Sequence, residues 1–208
     1  MTIYLLALAD FLACTLAAKL GRQYVMAALI LNLLAVGIFA QKIITIFGYD
    51  TNISNACYAA TVFCMAIICE KYKEHSKSEA FLVGLFSLLL FTMISQIIVH
   101  GDSGSLATVF HATPRNSLAG FVGYTVAMGF FVQFWDILFM PVWMKYILLL
   151  IMIQSLDSIL FFVIAFYGIL SPNKLIEIGT IGFMVKIVIG ICSVPFLYIA
   201  TRSKSLPS

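Results

Sequence analysis

Residues 142–170 have the sequence VWMKYILLLIMIQSLDSILFFVIAFYGIL, in which only Lys145 and Asp157 are charged. A helix needs about 20 predominantly apolar residues to cross the hydrocarbon core of a bilayer. This run exceeds that length, and Pro141 and the sequence Ser171-Pro172-Asn173 mark its two ends by disfavouring helix. The stretch therefore predicts a membrane-spanning helix.

The composition of the whole chain supports the same conclusion. Hydrophobic residues make up 62% of the 208 residues and charged residues only 10%, whereas a soluble domain carries about 25% charged residues. The mean hydropathy is +1.07. A soluble fold could not cover so much apolar surface with so few charges, so we expect an integral membrane protein.

Seven apolar runs can form helices in an all-α, polytopic membrane bundle. The predicted helices cover 2–20, 23–47, 53–70, 78–99, 116–139, 142–170 and 174–201. The first run is short and carries Asp10, so the chain has six or seven transmembrane helices. We expect a single domain over 1–208, with an extra N-terminal helix in 1–22, a six-helix core in 23–201 and a cytoplasmic tail in 202–208.

The positive charges of the short loops predict the orientation. Eight lie on one side of the predicted membrane: Lys19, Arg22, Lys71, Lys73, Lys77, Lys145, Arg202 and Lys204. Three lie on the other side: Lys42, Arg115 and Lys174. The first side should face the cytoplasm, which places the chain in the cell membrane with its C-terminus inside.

Several classes of function are disfavoured. The net charge of +3 is small and gives no reason to expect a nucleic-acid partner. The five cysteines lie in apolar runs without metal-ligand spacing, and His100, Asp102 and His111 match no metal motif. Hydrolase, zincin and Walker motifs are missing, which disfavours an enzyme. We therefore expect no catalytic residues, no metal and no cofactor. The sequence leaves a homo-oligomer open.

Gln154, Asp157 and Ser158 are polar residues within the predicted sixth helix, and Lys186 lies within the seventh. Counted along the helices from Pro172, Asp157 and Lys186 both lie roughly 21–22 Å from the turn between them. Antiparallel helices joined by a short turn would bring the two side chains together. The pair has two readings, which are compatible. It is a structural ion pair that neutralises two buried charges, or the polar floor of a ligand site.

Three other polar positions suit either a structural role or a role in function. Asp136 and Lys145 match in depth on either side of Pro141, which predicts an interfacial ion pair. Glu70 follows a long uncharged run and begins a charged loop. Arg115 starts the fifth helix, where it can contact lipid headgroups or donate hydrogen bonds at the mouth of a cavity.

Several motifs resemble the queuosine precursor transporter family, also called the vitamin uptake transporter family. Residues 113–120, TPRNSLAG, are similar to the start of a family helix. Trp143, Lys145, Gln154, Asp157, Ser158 and Phe161 match steps of another, which residues 164–168, IAFYG, continue. Glu70-Lys71-Tyr72 resembles the end of a third helix. Phe183, Lys186, Pro195 and Tyr198 fit the last helix. The resemblance covers roughly residues 30–201.

The resemblance implies a six-helix bundle, similar to the substrate-binding subunits of energy-coupling-factor transporters, that imports a 7-deazaguanine base. The bases are 7-cyano-7-deazaguanine, 7-aminomethyl-7-deazaguanine and queuine. The expected binding residues are Gln154, Asp157, Ser158, Lys186, Arg115, Glu70, Phe161 and Phe166. Ala66, Met128 and Leu149-Leu150 replace polar residues of the family pattern, which is compatible with a divergent substrate such as queuine.

The sequence leaves two alternatives to a transporter that works without a partner protein. The chain can be the substrate-binding subunit of an energy-coupling-factor type vitamin transporter, which needs a separate energising partner. The small residues Ala9, Ala13 and Ala17, spaced four apart, favour close approach of another helix. It can also be a structural or assembly protein whose buried charges only specify packing.

Overall fold

The computed structural model describes residues 2–39, 43–46, 48–72, 74–101, 114–168 and 171–202. Within these ranges the chain forms eight α-helices, one π-helical turn and one short β-hairpin. The elements are α1 Thr2–Leu20, α2 Arg22–Phe39, β1 Ile43–Ile46, β2 Tyr49–Asn52, α3 Ser54–Ile67, the π turn Ile68–Tyr72, α4 Glu74–Gly101, α5 Pro114–Ile137, α6 Val142–Phe166, α7 Pro172–Cys192 and α8 Val194–Arg202.

The predicted all-α membrane bundle is confirmed. Six helices in the described ranges are long and apolar enough to cross a bilayer. They lie in α1, α2, α4, α5, α6 and α7. The predicted third span is different, because α3 has only 14 residues before the backbone changes to the π turn.

Helix α3 lies at the centre of the bundle. Every residue from Ser54 to Ile67 is buried, and the helix packs against α1, α2 and α7. Its small side chains, such as Ala56, Ala59 and Ala60, allow the neighbouring helices to approach closely. Because other helices surround α3, its side chains are part of the packed interior on every face.

Helix α1, predicted as an addition to the core, packs against α2, α3 and α8. Its buried side chains recur at helical spacing and include Ile3, Ala7, Cys14 and Ala17, whereas residues such as Leu5 and Leu12 on the opposite side are exposed. Within the predicted alanine ladder, Ala9 and Ala13 are exposed and Ala17 is buried. The N-terminal helix thus belongs to the same hydrophobic core as the rest of the chain.

The predicted helix over 23–47 is wrong in its last part. Helix α2 ends at Phe39, and β1 pairs with β2 in an antiparallel hairpin with Ile46 opposite Tyr49. The run Ile43-Ile44-Thr45-Ile46 is β-branched throughout, which favours extended backbone. Gly48 takes a φ of 85° in the turn, a conformation that glycine adopts without strain. Lys42 lies outside the described residues.

The predicted helix over 174–201 is interrupted at Ser193. Pro195 has no backbone N–H and cannot continue the helical hydrogen-bond ladder. Both the backbone N–H and the hydroxyl of Ser193 donate to the carbonyl oxygen of Gly190, at 3.1 and 2.7 Å. The chain then continues as the separate helix α8.

Candidate functional site

Asp157 and Lys186 form an ion pair inside the bundle. The Lys186 Nζ atom donates to Asp157 Oδ2 over 2.7 Å. Asp157 is 5% exposed and Lys186 is 9% exposed. The ion pair predicted from the matched depth of the two residues is confirmed. The short connection between α6 and α7 packs these helices together, so residues equally far from the turn come into contact.

Tyr58 of α3 packs against this ion pair. The Lys186 Nζ atom lies 4.7 Å from the centre of the Tyr58 ring, which is a cation–π contact. Tyr58 was not among the site residues expected from the sequence. A signal was present in the spacing of Asn55 and Tyr58, which lie three residues apart in a helix of mostly small and apolar residues.

Helix α5 packs closely against the Asp157 carboxylate at Gly123. A Cβ atom at Gly123 would lie 2.8 Å from Asp157 Oδ1, closer than real Cβ contacts. One turn earlier, a Cβ atom at Gly120 would meet nothing within 4 Å. The backbone of α5 therefore fits against Asp157 only because residue 123 has no side chain.

Polar atoms without partners lie on α6 beside the ion pair. The two amide atoms of Gln154 and the Ser158 hydroxyl are buried and have no hydrogen-bond partner among the described residues. A buried polar group left unsatisfied costs about 1–3 kcal/mol. Gln154 and Ser158 share α6 with Asp157, and the Tyr58 hydroxyl of α3 faces the Asp157 carboxylate. We call Asp157, Lys186, Gln154, Ser158 and Tyr58 the central site. Its free donors and acceptors suit a polar ligand.

Phe161 and Phe166 lie beyond the central site on α6. The two ring centres are 6.0 Å apart in an edge-to-face contact, and both rings also contact Phe162. Phe162 in turn packs against Gly179 of α7. These aromatic residues thus form a cluster of their own towards the end of α6.

Arg115 is a cap for helix α6. Its Nε atom donates to the carbonyl oxygen of Ile164, and one terminal nitrogen donates to that of Tyr167 over 2.7 Å. These carbonyls lie in the last turn of α6, where a cation is favourable. The exposed guanidinium therefore fixes the start of α5 to the end of α6. It does not reach the central site.

Glu70 lies at the other end of the bundle, on the π turn. Its carboxylate accepts a hydrogen bond from the Trp135 indole N–H over 3.3 Å. The adjacent Lys71 donates to the carbonyl oxygens of Ala18 and Ala200, at 2.6 and 3.3 Å. The π turn therefore connects the ends of α1, α5 and α8.

The predicted ion pair between Asp136 and Lys145 is wrong. Asp136 pairs with Lys77 of α4, and Lys145 lies 5.1 Å from the centre of the Trp135 ring. Depth alone cannot decide between partners on different helices, and α4 also packs against α5. A further ion pair, Arg22 to Glu79 at 2.9 Å, joins α2 to α4 at this end. We call these contacts of Glu70, Lys71, Lys77, Asp136, Arg22 and Glu79 the terminal network.

The remaining candidates contribute less. His100 bonds to the carbonyl oxygen of Gln96 over 2.8 Å, and Asp102 and His111 lie outside the described residues. Across the described ranges, no group of three or more His, Cys, Asp or Glu side chains can hold a metal ion.

An open apolar groove of about 360 Å³ runs between α4 and α5, lined by Leu82, Leu85, Phe86, Leu89 and Phe121. Such a surface suits lipid.

Comparison with known proteins gives the family. The "Probable queuosine precursor transporter" of Bacillus subtilis (strain 168) is 22% identical over 174 residues, which cover 77% of this chain and 76% of that protein. No solved structure gives a significant match. The family described as "Putative vitamin uptake transporter" matches residues 52–200. Because that match covers most of the chain, including α3 and the central site, this multi-pass membrane protein belongs to the vitamin uptake transporter family.

Proposed function

We propose that the protein imports a queuosine precursor, a 7-deazaguanine base, and binds it at the central site. The observation that carries this proposal is the buried Asp157–Lys186 pair next to polar atoms that lack partners. The Bacillus subtilis relative, named as a probable queuosine precursor transporter, supports the choice of substrate.

The chemistry of the base fits the residues. The pairing edge of a 7-deazaguanine carries a ring N–H and an amino group, which donate to a carboxylate such as that of Asp157. The neighbouring carbonyl oxygen accepts from the amide nitrogen of Gln154. The flat ring stacks on Tyr58, which is buried and whose ring lies against Lys186.

Binding then exchanges one partner of Asp157 for another. Without ligand, Lys186 neutralises the carboxylate. When the base donates to Asp157, the ammonium group moves to the carbonyl oxygen of the base. The two opposite charges stay side by side, and each keeps a hydrogen-bond partner, which matters because an isolated charge in the interior costs several kcal/mol.

The other predicted binding residues act on the route to and from this site. Arg115 holds the start of α5 and the end of α6 together, and Phe161 and Phe166 lie four and nine residues beyond Asp157 on α6. Glu70 belongs to the terminal network. With the orientation predicted from the loop charges, the base enters past Phe161 and Arg115 and leaves past Glu70.

Complementation tests this function. Bacteria that cannot synthesise the precursor are given each of the three bases, with the wild-type protein or with the Asp157→Asn variant. The wild type should restore queuosine in tRNA with at least one base, and the variant should not. The Gly120→Ala variant is the control, because its side chain points into open space. Failure of the wild type with all three bases would contradict the proposal.

A substrate-binding subunit that needs an energising partner is the second candidate. The exposed residues Ala9 and Ala13 on α1 favour it, because small side chains allow a partner helix to approach. Purified protein in liposomes distinguishes the two candidates. Uptake of a base by the protein alone would exclude an obligatory partner, whereas binding without uptake would favour one.

A further inference from the structure

Asp10 is an acidic residue within α1 that the proposed binding of the base does not use. Asp10 is partly buried and lies on the same side of α1 as the buried residues Ala7, Cys14 and Ala17. Its Oδ2 atom is buried and has no hydrogen-bond partner in the described part of the chain. The neighbouring side chain is Cys57 of α3.

Among the described residues, no positively charged side chain forms an ion pair with this carboxyl group. Helix α1 packs against α2, α3 and α8. In α2, α3 and α8 only Arg22 and Arg202 carry a positive charge, and each lies at a helix end. Lys19 lies in the last turn of α1, and Lys71 of the π turn donates to the carbonyl oxygen of Ala18 at that same end. Arg22 is already paired with Glu79. The titratable groups of α3 that act on Asp10 are the thiols of Cys57 and Cys64, which supply no positive charge.

We propose that Asp10 is the proton-binding site of the transporter, so that one proton crosses the membrane with each molecule of base. A carboxylate without a counter-ion is costly in this environment, and it is neutralised when a proton binds to its buried oxygen. This inference rests on the proposed function of the central site and adds the ion that drives it.

The surroundings favour a proton over a metal cation. Sodium requires several oxygen ligands, whereas the groups next to Asp10 are thiols, which are soft ligands. Cys14 and Cys64 lie with their sulfur atoms 3.2 Å apart, and Asn32 donates towards Cys14 over 3.7 Å. One carboxyl group in such a shell can hold a proton but cannot form a cation cage.

Helix α3 connects Asp10 to the central site. Cys57 contacts Asp10, and the next residue, Tyr58, contacts Lys186. Every residue of α3 is buried, so the helix cannot move against α1 without changing its packing on α7 as well. Protonation of Asp10 and occupation of the central site therefore act on the same rigid element.

The first experiment needs no substrate. Infrared spectra of the purified protein in lipid, recorded over a pH series, should contain the carbonyl stretching band of a protonated carboxylic acid. This band should be lost in Asp10→Asn and kept in Glu79→Gln, which removes an exposed carboxyl group from its pair with Arg22. A band that is unchanged in Asp10→Asn would overturn the proposal.

The second experiment measures transport of 7-aminomethyl-7-deazaguanine, 7-cyano-7-deazaguanine and queuine into proteoliposomes with the membrane potential clamped at zero. With one proton per base, a gradient of one pH unit supports at most about a tenfold accumulation. We expect Asp10→Asn to lose this accumulation but to keep exchange of labelled for unlabelled base. Asp10→Glu should restore accumulation, and Glu79→Gln should behave as the wild type.

Each outcome decides between the hypotheses. Accumulation that ignores the pH gradient in the wild type, or that persists in Asp10→Asn, would overturn the proton site. Loss of exchange together with accumulation would also overturn it, because Asp10 would then be a structural residue. If the wild type transports none of the three bases, the proposed substrate is wrong, and the infrared measurement still decides whether Asp10 holds a proton.

Discussion

The terminal network and the central site use charges in opposite ways. In the network, Glu70 accepts from Trp135, Arg22 pairs with Glu79, and Lys71 donates to two helix carbonyls. In the central site, a single ion pair adjoins buried polar atoms that have no partners in the described residues. The network therefore has the features of a structural connection, and the central site has those of a place to be filled by a ligand.

Burial makes the two regions energetically unequal. Exposed ion pairs such as Arg22–Glu79, in which both side chains are almost half exposed, contribute about 0–1 kcal/mol. Removing one partner of a buried pair costs about 3–5 kcal/mol, because the other charge is left uncompensated. Mutations should therefore cost more stability at the ion pair of the central site than at the exposed pair of the terminal network. At Gln154, removal of the polar group should increase stability instead.

The largest effect is expected at Asp157 and Lys186. Asp157→Asn or Lys186→Met alone should destabilise the protein by about 3–5 kcal/mol, measured by denaturant titration in detergent. The double variant removes both charges and should recover most of this stability. It should not recover binding of the base in a thermal-shift assay. If Lys186→Met left both binding and uptake intact, the pair would be only structural.

The next effect is expected at Gly123. Gly123→Ala places a methyl group against Asp157 Oδ1 and should cost about 1–3 kcal/mol, as overpacking does. Binding of the base should fall with it, because the carboxylate must move. Gly120→Ala adds the same methyl group one turn away into open space. Equal behaviour of the two variants in binding would contradict the close approach of α5.

Substitutions of Gln154 and Trp135 should change the stability of the ligand-free protein in opposite directions. Gln154→Leu removes two unpartnered polar atoms and should stabilise the ligand-free protein by about 1 kcal/mol while weakening binding of the base. Trp135→Phe removes the donor to Glu70 and leaves a cavity at a buried position, so it should destabilise by at least about 0.5–1.5 kcal/mol, the contribution of the hydrogen bond. Melting temperatures with and without base measure both effects. Loss of stability in Gln154→Leu would show that its amide has partners.

The smallest effect is expected at the exposed pair. Glu79→Gln should change the free energy of unfolding by less than about 1 kcal/mol, and the difference from the wild type should shrink at high salt. Denaturant titrations at low and high ionic strength measure this. A large loss that is independent of salt would mean that the terminal network is more than a set of surface contacts.

The sequence predicted the parts of the fold and the site that depend on distance along the chain. The spans follow from length and hydropathy, and the Asp157–Lys186 pair follows from equal depth on two helices joined by a short turn. The same arithmetic failed for Asp136 and Lys145, because Lys77 of a third helix lies closer. Gly123 was not identified because lateral packing between helices distant in sequence leaves no local spacing to read, and for Tyr58 the spacing from Asn55 was present but does not by itself name Lys186 as the partner.

The shortness of α3 has a consequence for how the protein is made. Its 14 residues continue into the π turn, but the first charge follows at Glu70, so the uncharged helical stretch 54–69 extends only about 24 Å, less than the roughly 30 Å hydrocarbon core of a bilayer. A segment of this length enters the membrane poorly by itself and needs helices on both sides to hold it. Substitutions along the face of α1 that meets α3 should therefore reduce the amount of protein inserted in the membrane before they alter the rate of transport.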